Sequence, residues 1–152
     1  MFKKKKIIFT AGSFDICHSG HLNILIKAKA MGDELIVAIS TNRLIKKYKQ
    51  IYPILNYAER RKMIQALRVV DKVVKQSRLL DINQIKRLKI DLVVLGSDWQ
   101  NRDDVPSIVW LKKHNKIVFL PYTRTLSSSK IKEKIIRHAY DIVKSQTKRK
   151  SC

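Results

Sequence analysis

The sequence predicts an α/β fold, a parallel five-stranded sheet with helices on both faces. Three observations carry this reading. Short apolar runs of strand length alternate with segments whose apolar residues recur at helical spacing. The first strand–helix–strand unit is the crossover that joins parallel strands. Polar motifs recur just after predicted strands, at the end of a parallel sheet where ligands bind.

The run Ile7-Ile8-Phe9-Thr10 forms the first strand. Leu22, Leu25, Ile26 and Ala30 then recur at helical spacing, so a helix begins at His18 and His21. Gly32 stands just past its end, and residues 34–40 form a buried strand. Residues 42–56 show little periodicity but hold Lys46, Lys47, Lys49 and Pro53, which reads either as a mobile basic loop over the site or as a plain connector. A helix over 58–67 places Met63, Ile64 and Leu67 on its apolar side, and residues 71–74 form a short strand. Asp81 with Gln84 three residues on is a capping-box start for a helix through Leu88. Residues 92–95 form a buried strand that opens into Gly96-Ser97-Asp98-Trp99. A short helix over 107–113 precedes the last strand, 117–120, which Pro121 ends. Arg124-Thr125 falls in the next turn, and Ser127-Ser128-Ser129-Lys130 opens a closing helix striped by Ile131, Ile135, Ile136, Ala139, Ile142 and Val143. The expectation is a single domain over 1–145 and a basic, frayed tail over 146–152.

A chain of 152 residues with 45% hydrophobic content can build one real core. No apolar run approaches the roughly 18–20 residues of a membrane span. The Lys3-Lys4-Lys5-Lys6 opening runs straight into a strand, not a cleavage region, so a cytoplasmic protein is expected. Cys17 and Cys152 make no disulfide framework and are expected to be reduced. The 33 Lys plus Arg against 12 Asp plus Glu give +21. Nucleic acid, an anionic membrane surface or small polyphosphates would each suit that charge. Its scatter along every predicted helix equally suits lysine-rich solvated faces.

The stretch from Gly12 to His21 joins strand to helix through small and polar residues and reads as a phosphate-binding site. A helix start offers unpaired N–H groups and the positive end of the macrodipole, while Gly12 and Gly20 let an anion approach the backbone closely. His18 and His21 lie one turn apart on one face and can donate to phosphate oxygens without a permanent charge. The plainer reading is that they are capping or surface residues. Zinc on Cys17, His18 and His21 is disfavoured, because adjacent Cys17 and His18 point apart and no fourth ligand follows at a finger-like spacing.

His18-Ser19-Gly20-His21 resembles the H-x-G-H signature of the cytidylyltransferase family, and Gly12-Ser13-Phe14-Asp15 resembles its Gly-x-Phe-Asp. The resemblance extends over residues 6–138. Arg68-Val69-Val70-Asp71 is similar to the family's R-x-V-D segment, and Gly96-Ser97-Asp98-Trp99 to the G-x-D-W of its glycerol-3-phosphate members. Arg124-Thr125 followed by Ser127-Ser128-Ser129 is similar to its R-T-x-G-I-S-T-[ST] segment, with a turn that is shorter here and lacks the Gly-Ile.

The resemblance implies a Rossmann-like nucleotidyltransferase fold, a homodimer, and transfer from CTP to a phosphorylated alcohol, glycerol 3-phosphate first among them, with release of pyrophosphate. Mg²⁺ would be held through the nucleotide triphosphate and not by a protein site. His18 and His21 are assigned to the triphosphate, Arg124 to a bidentate clamp on its β/γ end, and Gly12, Ser13, Phe14, Asp15 and Gly20 to the phosphate loop. Thr125, Ser128 and Ser129 would add donors at a helix start. Lys46 stands for the lysines of the basic loop, which sequence cannot tell apart from Lys47 and Lys49. Asp98 would bind nucleotide or substrate, Trp99 is equally suited to core packing, and Arg68 either helps the nucleotide or pairs with Asp71. An adenylyltransferase of the same signature, such as an archaeal-type FAD synthetase, is the near alternative. A basic nucleic-acid-binding module on a degenerate fold is the distant one, and no aromatic-rich surface strand supports it. Neither a specific nucleic-acid partner nor a stable membrane anchor is expected.

Overall fold

Alternation along buried strands decides which helix covers which face of the sheet. In the computed structural model, which describes residues 4–121, 123 and 126–150 and leaves the side chains of 147–150 aside, five strands lie parallel: β1 (Ile7–Gly12), β2 (Glu34–Ser40), β3 (Lys72–Gln76), β4 (Leu92–Gly96) and β5 (Ile117–Leu120). The helices are α1 (Ser19–Lys29), α2 (Asn42–Lys49), α3 (Tyr57–Gln65), α4 (Ile82–Arg87), α5 (Pro106–Lys113) and α6 (Ser128–Lys150). Ile8, Leu35, Val37, Ile39 and Val94 point to one face, where Leu25 and Ala28 of α1 and Ile64 of α3 cover them. Phe9, Ile36, Ala38, Val93 and Leu95 point to the other, under Ile85 of α4 and Ile108 and Leu111 of α5. This is the expected parallel five-stranded sheet with helices on both faces.

The strand order is β3-β2-β1-β4-β5. From β1 the chain builds outward to β3, then returns to the far side of β1 to add β4 and β5. Winding therefore reverses between β1 and β4, and such a switch point leaves a crevice beyond the carboxyl ends of those two strands. Gly12 and Gly96, the last residues of β1 and β4, sit at that crevice.

The structure departs from the sequence reading in several elements. Residues 42–49 are a helix, not a loop: Thr41 Oγ1 accepts the Leu44 N–H at 3.1 Å, Leu44 and Ile45 are buried, and Gln50 ends the helix in the left-handed conformation. In α3 the inward residues are Ile64 and Arg60, while Met63 is 52% exposed. Asp81 caps α4 through the Asn83 N–H at 3.0 Å, but Gln84 donates to the Lys75 carbonyl and closes no capping box. Gly32 does not serve as a left-handed helix stop. A Cβ there would come within 2.6 Å of Ile8 and 2.7 Å of the Lys6 carbonyl, so the residue is small because β1 passes directly against it. The closing helix continues through Lys150, since the Lys, Arg and Gln of the expected tail are good helix formers and nothing breaks the run. Among the described residues no helix is long and apolar enough to cross a membrane.

Candidate active site

The loop from Ser13 to His18 leaves β1 and enters α1 through strained backbone. Phe14 and Ile16 both take φ of 50°, a region that a β-branched residue such as Ile16 enters only when its surroundings hold it there. What holds it is Asp15. Its buried carboxylate accepts the N–H groups of Ile54 and Leu55, each at 3.0 Å, and the Lys132 ammonium at 2.8 Å. Burial alone would raise the Asp15 pKa, but Lys132 and the two amides outweigh it and hold the carboxyl below its ordinary value. Ser128 donates to the Asp15 carbonyl at 2.6 Å. Asp15 is thus placed as the knot that ties the loop, the 50–56 segment and α6 together, with its oxygens committed inside the protein.

Arg60 braces the same loop from below. Its side chain is fully buried and donates to the carbonyls of Ser13 (2.6 Å), Ser40 (2.9 Å) and Leu55 (3.1 Å) and to Asn42 Oδ1 (2.6 Å). Burial lowers its pKa, and nearby Asp15 opposes that. Sequence reasoning missed this residue, and its only signal was an arginine one turn before Ile64 on a helix face that should have been apolar.

His18 and His21 stand at the start of α1 with their rings stacked 3.9 Å apart. His18 is the N-cap, its Nδ1 accepting the Gly20 N–H at 3.1 Å, and His21 Nδ1 accepts the His18 N–H at 3.4 Å. The capping reading is therefore met, and the arrangement leaves each Nε2 outside these capping bonds. With each Nδ1 used as an acceptor, the proton of the neutral ring is assigned to Nε2. Burial lowers both pKa values. That of His21 falls to about 4, through burial first and then His18 and Lys49, with Asp15 opposing. Near pH 7 the site thus presents neutral Nε2–H donors. His18 Nε2 is buried without a hydrogen-bond partner among the described residues, a cost that an oxygen acceptor entering the site would remove. Gly20 leaves room for this ring rather than for an anion: a Cβ would lie 2.8 Å from His18 Cε1.

A cavity of about 140 Å³ opens over the switch point, lined by Gly12, Ser13, Phe14, His21, Lys49 and Asp98 among others. Lys49 donates to Ser13 Oγ at 3.2 Å. Desolvation, and then the charge of Lys132, lower its pKa, while Asp15 and Asp98 oppose. Desolvation raises the Asp98 carboxyl against the pull of Lys49 and Arg102. Trp99 serves both suggested roles, packing on the core and lining the cavity. A smaller gap beside His18, Gly20 and His21 is closed by Thr123 and Leu126. Two of the polar segments expected to converge thus share this cavity, and of the third the described Leu126 and Ser128 reach the neighbouring loop and helix start.

Other assigned residues lie elsewhere. Lys46 points away, its ammonium on the Gln50 carbonyl at 2.9 Å and over the Tyr52 ring, and helical phase makes Lys49 the lysine that reaches the cavity. Arg68 is exposed at the opposite end of the sheet, before β3, and Asp71 pairs with Lys29 at 2.6 Å instead. Ser129 is exposed in the first turn of α6. Arg124 and Thr125 lie outside the described residues. Among the described residues no group of His, Cys, Asp and Glu could hold a metal ion, and Cys17 is a half-buried free thiol whose pKa burial raises.

The comparisons agree with this geometry. Residues 9–134 match the model of the family described as cytidylyltransferase-like. The chain is 37% identical over 139 residues to glycerol-3-phosphate cytidylyltransferase of Bacillus subtilis (strain 168), spanning 86% of this chain and 97% of that protein. It is also 37% identical over 144 residues to FAD synthase of Thermococcus sibiricus, spanning 90% and 97%. The crystal structure of the lipopolysaccharide core biosynthesis protein from Thermoplasma volcanium GSS1 superposes with a TM-score of 0.63 at 26% identity, over 78% of this chain and 95% of that one. A reversed parallel sheet, a phosphate loop held by buried charges and a pair of neutral histidines at a helix start accord with that match, and the chain belongs to the cytidylyltransferase-like family of nucleotidyltransferase enzymes.

Proposed function

We propose that the protein joins CTP to a phosphorylated alcohol, with glycerol 3-phosphate as the reference acceptor, to give a CDP-alcohol and pyrophosphate. The observation that carries this is the stacked His18–His21 pair at the start of α1, with His21 and Lys49 lining one cavity at the sheet's switch point. The acceptor's phosphate oxygen attacks the α-phosphorus in line, forming one P–O bond as the bond to the β-phosphate breaks, and no protein nucleophile is needed. Positioning and charge stabilisation are then the whole task of the chain. His18 and His21 donate to the triphosphate, Lys49 supplies a positive charge next to it, and Arg124 clamps the leaving pyrophosphate as its planar fork allows. Asp98, at the mouth of the same cavity, accepts from the nucleoside.

The cavity gathers His21 and Lys49 with one carboxylate, Asp98, and among the described residues no group of His, Cys, Asp and Glu is arranged to hold a metal ion. A Mg²⁺ ion would therefore be carried by the triphosphate, where it neutralises phosphate charge. The same reading takes the active protein to be a cytoplasmic homodimer, and its mass in sedimentation checks the second part. FAD synthase is as similar a relative as the cytidylyltransferase, so ATP is the competing nucleotide. Pyrophosphate release, measured for each nucleoside triphosphate against a panel of phosphorylated alcohols, decides between them. Turnover with CTP and glycerol 3-phosphate is the expected result, and turnover with ATP alone would replace cytidylyl by adenylyl transfer.

A further inference from the structure

Beyond the carboxyl end of β3, between α2 and the 77–79 segment, lies a cleft of about 910 Å³, several times the volume of the cavity over the histidines. Arg43 and Lys47, four residues apart on one flank of α2, face it from one side. Lys75 near the end of β3 and Arg78 three residues on face it from the other. No carboxylate lines the cleft, and none of these four cations forms an ion pair among the described residues. Elsewhere in the molecule carboxylates do answer the lysines, as Asp71 answers Lys29 and Asp103 answers Lys112. All four are exposed, and two cations on each side of a cleft without a carboxylate give it a positive potential that an anion from solution would enter favourably.

The cleft adjoins the reacting site. Tyr48 lines both the cleft and the cavity over the histidines, and a small gap lined by Gly12, Tyr48, Leu79 and Trp99 among others shares residues with each. One molecule can therefore lie across Tyr48 with its phosphate at the α-phosphorus position and its other end among the four cations.

We infer that Arg43, Lys47, Lys75 and Arg78 form an anion subsite that selects the acceptor, and that the preferred acceptor is a phosphorylated polyol carrying a second anionic group at the end remote from the reacting phosphate. This rests on the cytidylyltransferase reading for its first half, the position of the reacting phosphate. An acceptor ending only in hydroxyls leaves the four positive charges without a counter-charge, whereas a carboxylate or second phosphate supplies one.

The test compares 6-phosphogluconate with glucitol 6-phosphate, probes of one chain length that differ in a terminal carboxylate. Each is titrated calorimetrically into the full chain and into the Lys75→Ser/Arg78→Ser variant, with CTP titrated into both as a control for the fold and the nucleotide site. The expected result is about tenfold tighter binding of the carboxylate probe, the scale of several partly exposed charge contacts together. That preference should vanish in the variant while CTP affinity is kept. Equal binding of the two probes, or a preference that survives in the variant, would overturn the subsite. Pyrophosphate release from CTP separates the two readings. Release with glycerol 3-phosphate but no carboxylate preference sinks the subsite alone. A preference lost in the variant without any release from CTP keeps the subsite and sinks cytidylyl transfer.

Discussion

Each of the two histidines divides its ring between two tasks, one nitrogen holding the helix start and the other left for a ligand. Replacing either by alanine removes a preorganised donor, and His18→Ala and His21→Ala should each lower turnover by roughly 10²-fold or more. Near-normal steady-state rates in a variant would take that residue out of the mechanism. Burial also fixes a pH dependence. Because the folded His21 pKa is about 4 against 6.5 for the free side chain, the unfolded chain binds a proton more readily between those values. Its contribution to stability is complete above pH 6.5 and is lost as pH falls towards 4. Thermal melts of the free protein should show this loss, and His21→Asn, which keeps an acceptor for the His18 N–H but does not titrate, should flatten it. Arg60 is the opposite case, a charge kept in the interior by what it binds. Arg60→Ala would strand the buried Ser40 carbonyl and the partly buried carbonyls of Ser13 and Leu55, and should cost on the order of 3–5 kcal/mol in urea unfolding. A loss below about 1 kcal/mol, the worth of a single ordinary hydrogen bond, would show that water replaces it. Its one signal in the sequence, a place on the apolar face one turn before Ile64, was passed over because a charged side chain on a short helix is ordinarily read as solvated.

At the scale of elements, the sequence was most legible where one periodicity ran unbroken. The buried runs of β1, β2 and β4 could be placed within a residue or two because strands covered on both faces are apolar throughout, and the edge strand β5 because Pro121 closes its apolar run. The turn after β1 could be placed because its small residues and histidines sit between two clear patterns. Helix α2 was lost for the reverse reason. Its buried face is only Leu44, Ile45 and the flank of Tyr48, set among four basic residues, so polarity masked the period. Losing the helix also lost the phase that singles out Lys49 from Lys46. Lys49→Met should therefore raise the nucleotide KM clearly, while Lys46→Met should leave it near the parent value. Steady-state titration of CTP distinguishes them, and equal effects would mean that α2 does not hold this phase in solution. The apolar stripe of α6 was read correctly as a pattern, but most of it meets solvent, with Ile135, Ile136, Tyr140 and Val143 each more than half exposed. A stripe reports the period of a helix and not what covers it.

For the molecule as a whole, the meeting of the segments after β1 and β4 followed from the rule that parallel sheets bind ligands at their carboxyl ends, whereas the strand order came only with the structure. The charge did not resolve itself so simply. Part of the +21 is spent around the cavity and the cleft, and the remainder is spread over solvated faces. Random duplex DNA should therefore bind weakly at physiological salt and dissociate steeply as salt rises. Fluorescence anisotropy over a salt series checks this, and salt-resistant, sequence-selective binding would overturn an enzyme-only account.

The knot at Asp15 has a consequence for the order in which the molecule is made. Its bonds from Ser128 and Lys132 span 113 and 117 residues of chain, so the first loop to leave the ribosome is fastened by one of the last segments to follow it. Until α6 emerges, the left-handed turn at Phe14 and Ile16 lacks two of its restraints, and the sheet forms before the loop above it is fixed. Nascent chains arrested short of residue 128 should therefore hold a protected sheet with a protease-sensitive first loop, and nucleotide capture should be the last property the growing chain acquires.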